Sequence, residues 1–405
     1  MSVLISSTIA FTVCFMVWMV FSVLGVPIKN QLGLDDAQFG LLAATPVLTG
    51  SLVRVPLGIW TDRYGGRIVL FILMLTTVIP IWMLSYATEF WHFIVLGLFV
   101  GLAGGSFSVG TPYVARWFPP RRQGMAMGVF GAGNSGSALT QIIAPWLIGL
   151  AGGAAVATAW TLVPKVYAVV MLVTAIGFWM FSAHNPAHLV PSNVKLSQQL
   201  ALLKDPAVLR YCQYYSVVFG GYVGLSIWMT RYFIGEYDFK LQVAGLLAAC
   251  FSWPGGVLRA LGGWLSDRFG AYRTTWLVFI VCFVIFLILS CPNKEVNLFG
   301  SPVHLGLNPW IFTALLFCAG IAMAVGKASV FKFISDEFTD NIGAVSGIVG
   351  LAGGLGGWLL PLMFGYLLKH TGVYSTAFML LFGTVCVSML LMFFLQPRRA
   401  APKSA

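Results

Sequence analysis

The stretch GSLVRVPLGIWTDRYG, residues 50–65, recurs in altered form as GGVLRALGGWLSDRFG, residues 255–270. Six positions are identical between the two copies: Gly50, Arg54, Gly58, Asp62, Arg63 and Gly65 recur as Gly255, Arg259, Gly263, Asp267, Arg268 and Gly270. Two further pairs of similar stretches follow in the same order, 103–110 with 319–326 and 124–131 with 343–350. Ordered matches of this kind predict that the chain consists of two copies of one structural unit.

The composition is that of a polytopic membrane protein. Of 405 residues, 59% are hydrophobic and only 9% are charged, whereas soluble domains have about a quarter charged. The seven cysteines are scattered without a C-x-x-C pair, so we expect no disulfide framework, no metal site and no cofactor. The net charge of +11 is divided among short loops, which argues against nucleic acid as a partner. We expect the lipid bilayer to be the partner of this chain.

Apolar stretches of about 20 residues recur along the whole chain, the length that a spanning helix needs. We predict an all-α protein with twelve transmembrane helices near 8–28, 38–60, 68–87, 92–116, 123–150, 163–183, 207–234, 241–265, 274–291, 309–334, 342–368 and 374–396. With the repeat, this predicts two pseudo-symmetric six-helix bundles with a site between them. The predicted domains are a bundle at 1–183, a cytoplasmic linker at 184–206, a bundle at 207–396 and a tail at 397–405.

Lysine and arginine predict the orientation. If both termini are cytoplasmic, the cytoplasmic segments hold fourteen of these residues and the outer segments hold six. This asymmetry satisfies the positive-inside rule. We therefore expect a multi-pass protein of the cytoplasmic membrane with both termini inside.

Three basic residues remain, and all lie inside predicted helices: Arg54, Arg259 and Lys327. The twelve acidic residues fall in loops or at helix ends. Arg54 precedes Asp62 by eight residues, so it lies ~12 Å from that helix end, close to the midplane of a hydrocarbon layer about 30 Å thick. The repeat places Arg259 at the same depth. Such a pair is either structural, with each arginine capping buried carbonyl groups, or balanced by a bound anion.

Two glycine-rich stretches occupy matching helices, GVFGAGNSG at 128–136 and GIVGLAGGLGG at 347–357. Close helix packing explains some of these glycines. Their density also suggests bare backbone beside a small substrate, and we expect Gly133, Gly353 and Gly354 to contribute main-chain atoms there. Asn134 is a polar side chain in the first stretch that could donate a further hydrogen bond.

The motif G-x-x-x-D-R-x-G-x-R at 58–67 resembles the loop motif of the major facilitator superfamily, and the resemblance covers the whole chain. It implies that contacts of this motif hold or release one face of a carrier. The residues concerned are Gly58, Asp62, Arg63, Gly65 and Arg67, with Gly263, Asp267, Arg268 and Gly270 in the second copy.

The arginine pair together with the two glycine stretches resembles the NarK-type nitrate/nitrite porters. That resemblance implies that Arg54 and Arg259 bind the anion, that Asn134 matches the signature asparagine, and that Tyr215 matches a tyrosine hydrogen-bonded to the anion. The adjacent Tyr214 is the alternative match to that tyrosine. Several aromatic residues, among them Trp18, Phe107 and Tyr222, could form gates, but the sequence assigns none.

The sequence does not decide what drives nitrate transport. Nitrate uptake against an inside-negative potential costs about 2.3 kcal/mol per 100 mV, so accumulation needs exchange for internal nitrite or symport with protons. The absence of intramembrane carboxylates favours exchange. The pattern around Lys327 (AVGKASVFKF) instead resembles the nitrate–proton symporter branch. Lys327 is then either a cavity lysine that binds the coupled proton, or a lysine that extends to the membrane surface or pairs with a loop acid.

We therefore predict a proton-coupled nitrate carrier that also accepts nitrite, acts by alternating access and is monomeric. Nitrate/nitrite antiport is the first alternative; carriage of another small anion such as formate, or a non-transporting anion sensor, are further ones. An enzyme is not indicated, since no nucleophile, metal cluster or phosphate loop stands out.

Overall fold

The computed structural model describes residues 1–186, 202–293, 295–298, 301–304, 306–338 and 342–395. Most of the predicted linker and all of the predicted tail at 397–405 lie outside these residues, so the predicted domain boundaries stay a prediction. The described part consists of helices and one short hairpin.

Twelve helical segments follow the predicted order. They are α1 (Ser2–Leu32), α2 (Asp36–Tyr64), α3 (Gly66–Tyr86), α4 (Phe90–Ala115), α5 (Pro120–Gly131, Ala132–Ser135 and Gly136–Leu150), α6 (Ala159–Phe181), α7 (Pro206–Tyr237), α8 (Leu241–Val257 and Arg259–Phe269), α9 (Ala271–Leu289), α10 (Pro309–Glu337), α11 (Ile342–Thr371) and α12 (Thr376–Phe394). Ten of them, all but α5 and α8, are individually long and apolar enough to cross a membrane, and the bent α8 makes eleven. α5 is less apolar because glycine, serine, Asn134 and Gln141 interrupt it. The predicted all-helical membrane fold is confirmed.

Two helices are interrupted just before an arginine. α2 is broken at Val53 and resumes at Arg54, and α8 is broken at Leu258 and resumes at Arg259 with a bend of 47°. Pro56 follows the first break within one turn, where its missing N–H is tolerated. The predicted continuous helix at 241–265 was wrong on this point. The helix predicted at 38–60 continues through a one-residue irregularity, because the Val53 N–H still donates to the Thr49 carbonyl and the Leu57 N–H to the Val53 carbonyl.

Other boundaries differ at the ends. α1 begins at Ser2, six residues before the predicted 8–28 segment, and α7 ends at Tyr237, three residues beyond 207–234. Hydrophobicity defines the part of a helix that lies in lipid, whereas backbone hydrogen bonds continue past it. A hairpin that the sequence did not predict, β1 (Glu295–Leu298) paired antiparallel with β2 (Ser301–His304), connects α9 to α10.

The N-terminal half, α1–α6, contacts the C-terminal half, α7–α12, through small residues. Gly40 and Gly365 bring α2 and α11 together at backbone distance, and Gly245 and Gly256 do so for α5 and α8. Any side chain at these positions would overlap the main chain of the facing helix. These close contacts fix the surface between the halves, which carries the site.

Candidate functional site

Arg54 is buried between the two halves. Its side chain is 6% exposed, and its Nη1 donates a 2.9 Å hydrogen bond to the carbonyl of Gly350 on α11. Its Nε is buried and has no hydrogen-bond partner. Arg54 therefore caps one buried carbonyl, as the structural alternative required, and still has donor capacity left.

Arg259 occupies the matching position after the break in α8. It is partly exposed, and its buried Nη1 has no hydrogen-bond partner. Its side chain passes Gly131 of α5, where an added Cβ would lie 3.2 Å from the Arg259 Cδ. The charges of Arg54 and Arg259 are close enough to interact. Among the residues described, no carboxylate forms an ion pair with either arginine.

Each guanidinium contacts one aromatic ring from its own half and one from the other. The Cζ atom of Arg54 lies 5.7 Å from the centroid of the Trp18 ring and 5.0 Å from that of the Phe219 ring. The Cζ atom of Arg259 lies 5.4 Å from the centroid of the Phe331 ring and 5.1 Å from that of the Phe107 ring. Ring faces are weakly negative and attract cations. They stabilise the two charges without neutralising them.

Tyr215 joins the two ring pairs. Its ring stacks on Phe219 with centroids 5.2 Å apart and meets the edge of Phe331 at 4.9 Å. A π-type turn, Ser216–Gly220, follows it in α7, and such turns are frequent at functional sites. The rival Tyr214 instead contacts Phe279 at 5.6 Å. The structure thus puts Tyr215, and not Tyr214, between the rings that touch the arginines.

Asn134 and the three predicted glycines lie at close packing contacts. Asn134 is buried and its Nδ2 donates to the carbonyl of Gly131 at 2.9 Å, within its own turn. Gly133 packs on the ring of Phe11, Gly353 on that of Tyr215, and Gly354 on Ser51 of α2. Gly353 and Gly354 therefore adjoin the arginine site directly. Gly133 is linked to it through Phe11, which contacts Phe107.

Lys327 lies deep in α10. It is 0% exposed, and its Nζ donates a 2.6 Å hydrogen bond to the carbonyl of Gly255. The same Nζ lies 3.5 Å from the centre of the Tyr222 ring. No acidic side chain of the described residues pairs with it, and its charge interacts with that of Arg259. The alternative of a surface-reaching or acid-paired lysine was wrong.

The loop motif forms matching ion pairs at one end of the two halves. Asp62 pairs with Arg116, the residue that follows α4, and Asp267 pairs with Lys332 of α10 at 3.4 Å. Gly65 and Gly270 both have positive φ, 86° and 87°, at the start of the following helix. This conformation favours glycine.

The other members of the motif contact rings or open space. Arg67 donates to the carbonyl of Trp179 at 2.6 Å and lies over its ring. Arg63 lies over Tyr64, and Arg268 over Trp264. Gly58 and Gly263 have open space where a Cβ would be. We refer to this end of the molecule as the Asp62 end.

The opposite end, the Asp35 end, carries ion pairs between the halves. Asp36 pairs with Arg231 of α7 at 3.1 Å, and Asp35 pairs with Lys369 of α11 at 2.9 Å. The backbone N–H of Gln38 and the Lys369 ammonium lower the pKa of the Asp35 carboxyl. These contacts, together with the packed α2–α11 and α5–α8 surfaces, close the Asp35 end.

Sequence reasoning missed part of the site. Phe331 and Phe219 were not selected as contacts of the arginines, and Tyr222 appeared only as a possible gate. Phe331 follows Lys327, and Phe219 follows Tyr215, by four residues. That spacing puts each ring on the helix face of its polar neighbour, which is the signal that could have identified them.

Comparison with known proteins agrees with this architecture. The family model of the Major Facilitator Superfamily matches residues 7–292 and 236–405. A solved bacterial homologue of the human lysosomal transporter Spinster, in an inward-facing and occupied conformation, superposes with a TM-score of 0.73 at 16% identity. The match covers 96% of this chain and 95% of that one. At this identity the likeness concerns the fold alone.

Curated relatives are similar along nearly their whole length. A probable nitrate/nitrite antiporter NarK1 of Thermus thermophilus is 38% identical over 95% of this chain and 89% of its own. A nitrite extrusion protein of Bacillus subtilis is 29% identical over 93% of this chain and 90% of its own. A probable nitrate transporter NarT of Staphylococcus carnosus is 28% identical over 94% of this chain and 92% of its own.

Proposed function

The chain belongs to the major facilitator superfamily, and from that premise we propose that it carries nitrate, and also nitrite, with nitrate uptake driven by proton symport. It is a polytopic membrane transporter and not an enzyme. One observation carries the choice of cargo: the two guanidinium groups lie close enough to interact, each has a buried nitrogen without a hydrogen-bond partner, and neither has a carboxylate partner among the described residues. Such a pair requires an anion.

Nitrate fits this requirement in shape and charge. A planar oxyanion can accept two parallel hydrogen bonds from one guanidinium fork. In this proposal Arg54 and Arg259 grip the anion, and Tyr215 and Asn134 add hydrogen bonds after local rearrangement. Gly133, Gly353 and Gly354 let the helices slide and bring backbone close to the anion. The names of the relatives support nitrate and nitrite as cargo.

The Asp62 end faces the cytoplasm in this proposal, and the protein resides in the inner membrane with both termini inside. The positive-inside count supports this orientation. The carrier acts as a monomer of two bundles, 1–183 and 207–396, joined by the 184–206 linker. Binding of the anion neutralises the arginines and allows the halves to rock.

Lys327 is the proton carrier of this proposal. Symport of one proton per nitrate cancels the charge of the anion, which would otherwise cost about 2.3 kcal/mol per 100 mV against an inside-negative potential, so the pH gradient can drive uptake. Lys327 is buried, lies close to Arg259 and lacks an acid partner among the described residues. A Lys327→Met variant is expected to lose uptake driven by a pH gradient and to keep nitrate–nitrite exchange. Equal loss of both activities would exclude the role.

Nitrate/nitrite antiport is the second candidate. The name of the Thermus thermophilus relative, a probable nitrate/nitrite antiporter, favours it, and the name of the Bacillus subtilis relative states nitrite extrusion. Exchange of two monovalent anions is independent of the membrane potential, and it needs no titratable group.

Reconstitution in liposomes tests both candidates. Nitrate flux is measured while the pH gradient, the potential and internal nitrite are varied separately. Symport predicts that nitrate accumulates when the outside is more acidic than the inside, even without internal nitrite. Antiport predicts flux only with internal nitrite. Competition by formate as effective as that by nitrite would contradict the proposed cargo.

A further inference from the structure

Tyr222 of α7 lies between Lys327 and the N-terminal half. The residue is completely buried, and one face of its ring receives the Lys327 ammonium at 3.5 Å. The ring also lies against Gly255, where any Cβ would overlap it. Gly255 thus has two functions: it makes room for the ring, and its carbonyl accepts the hydrogen bond from Lys327.

The hydroxyl of Tyr222 reaches across to α5. It is 2.9 Å from the Ser137 hydroxyl and 3.2 Å from the carbonyl of Asn134, both in the N-terminal half. Its third neighbour, the carbonyl of Ser252 at 2.9 Å, belongs to α8 of its own half. One phenol therefore touches the buried lysine with its face and the opposite half with its oxygen.

The contact continues as a buried polar layer. Ser252 donates to the hydroxyl of Ser226 at 3.0 Å, and Gln141 of α5 donates to the Ser226 carbonyl at 2.7 Å. All these side chains are fully buried. A helix–helix surface held by hydrogen bonds has a defined geometry, because a displaced partner leaves a buried polar group unpaired, which costs about 1–3 kcal/mol.

The charged and titratable groups facing Lys327 are few. α7 presents Tyr222, and α8 presents Arg259 and, at the Asp62 end, Asp267 paired with Lys332. α9 packs against α10, where its Thr275 donates a hydrogen bond to Ser329, and it carries the buried thiol of Cys282. The state of Lys327 is thus felt first by the Tyr222 ring and by Arg259.

We propose that Tyr222 is a positioning residue that couples the proton on Lys327 to the contact between the two halves. This inference rests on the proposed symport. With Lys327 protonated, cation–π attraction holds the ring, and the ring holds its hydroxyl on α5, so the Asp35 end stays closed. When the proton leaves, the attraction to the ring face is lost, the hydroxyl contacts loosen, and the halves separate at that end.

Tyr222→Phe tests the inference, because it keeps the ring under Lys327 and removes the link to α5. In liposomes the wild type should accumulate nitrate about tenfold more per unit of pH gradient for each coupled proton. In the variant we expect nitrate counterflow within about twofold of the wild-type rate and loss of most of the accumulation driven by the pH gradient. Fewer protons should enter per nitrate, as measured with a pH-sensitive dye. Tyr167→Phe is the matched control, since the buried Tyr167 hydroxyl bonds only to Thr140 within the N-terminal half. It should behave like the wild type.

Lys327→Met, measured in parallel, separates the two proposals. If Lys327→Met uncouples nitrate from protons and Tyr222→Phe does not, the role of Tyr222 is overturned and symport stands. If both variants stay coupled, symport stands and the roles of Lys327 and Tyr222 are both overturned. If the wild type itself shows no accumulation driven by the pH gradient, the proposed symport fails, and the inference that rests on it fails too. Should Tyr222→Phe not fold, Ser137→Ala removes a partner of the hydroxyl on α5, and unchanged coupling in that variant would overturn the inference.

Discussion

Replacing Arg259 by lysine keeps the charge and removes the fork, so it separates the two demands that the anion makes on the site. The guanidinium can give nitrate two parallel charge-assisted hydrogen bonds, whereas the compact ammonium gives at most one along the same direction. Loss of one such bond costs about 1.5–3 kcal/mol. This corresponds to about 10- to 150-fold weaker binding.

Arg54→Lys should weaken binding by a similar factor and should also destabilise the protein. The Nη1 of Arg54 bonds the carbonyl of Gly350 on the opposite half, whereas the Nη1 of Arg259 has no such partner. A lysine that cannot reach Gly350 leaves a buried carbonyl unpaired, which costs about 1–3 kcal/mol. The two variants are therefore expected to match in nitrate affinity and to differ in thermal stability.

Nitrate affinity is measured by isothermal titration calorimetry on the purified protein in detergent, and stability by thermal unfolding without nitrate. Arg231→Lys serves as the control, because Arg231 pairs with Asp36 at the Asp35 end, away from the site. It should bind nitrate like the wild type. Affinity of Arg259→Lys within about threefold of the wild type would refute bidentate gripping, since one lost bond predicts at least about tenfold.

Two further outcomes follow from packing and charge. Gly354→Val should abolish flux and lower the unfolding temperature, because its Cβ would lie 2.8 Å from the Ser51 Cβ; overpacking of this kind costs about 1–3 kcal/mol. Gly347→Ala, which meets nothing within 4 Å, is the tolerated control, and equal effects of both changes would contradict the packing argument. The lowered pKa of Asp35 means that its pairing stabilises the fold above the ordinary carboxyl pKa and is lost as pH falls through the folded value. Asp35→Asn should therefore remove this part of the acid sensitivity in unfolding temperatures measured from neutral to low pH, and an unchanged acid profile would contradict it.

The helical architecture and its internal repeat followed from the sequence because hydrophobic length and repeated motifs are local properties. The family resemblance drawn from the loop motif and the arginine pair is confirmed by the family match and the curated relatives. The equivalent depth of Arg54 and Arg259 needed only the repeat and the helical rise.

What the sequence did not predict depends on which side chains meet in space. The rings of Phe219 and Phe331 come from α7 and α10. Their four-residue spacing from Tyr215 and Lys327 puts them on the same helix faces, but it does not indicate that a guanidinium lies over them. The role of Gly255 beneath Tyr222 likewise requires the packed structure, since the sequence shows only one glycine among 45. The breaks at Val53 and Leu258 lie in apolar runs that read as continuous helix.

These breaks give each arginine a lever arm. The segment Arg54–Tyr64 has 11 residues and is thus about 16 Å long, so a rotation of about 10° at Val53 moves its far end by about 3 Å. The guanidinium, one residue from the pivot, moves far less. The far ends of these segments, at the Asp62 end, can therefore move apart by a width comparable to that of a small anion while both guanidinium groups stay nearly in place. Under the proposed function, opening of the Asp62 end and release of the anion by Arg54 and Arg259 are then separate steps of the transport cycle.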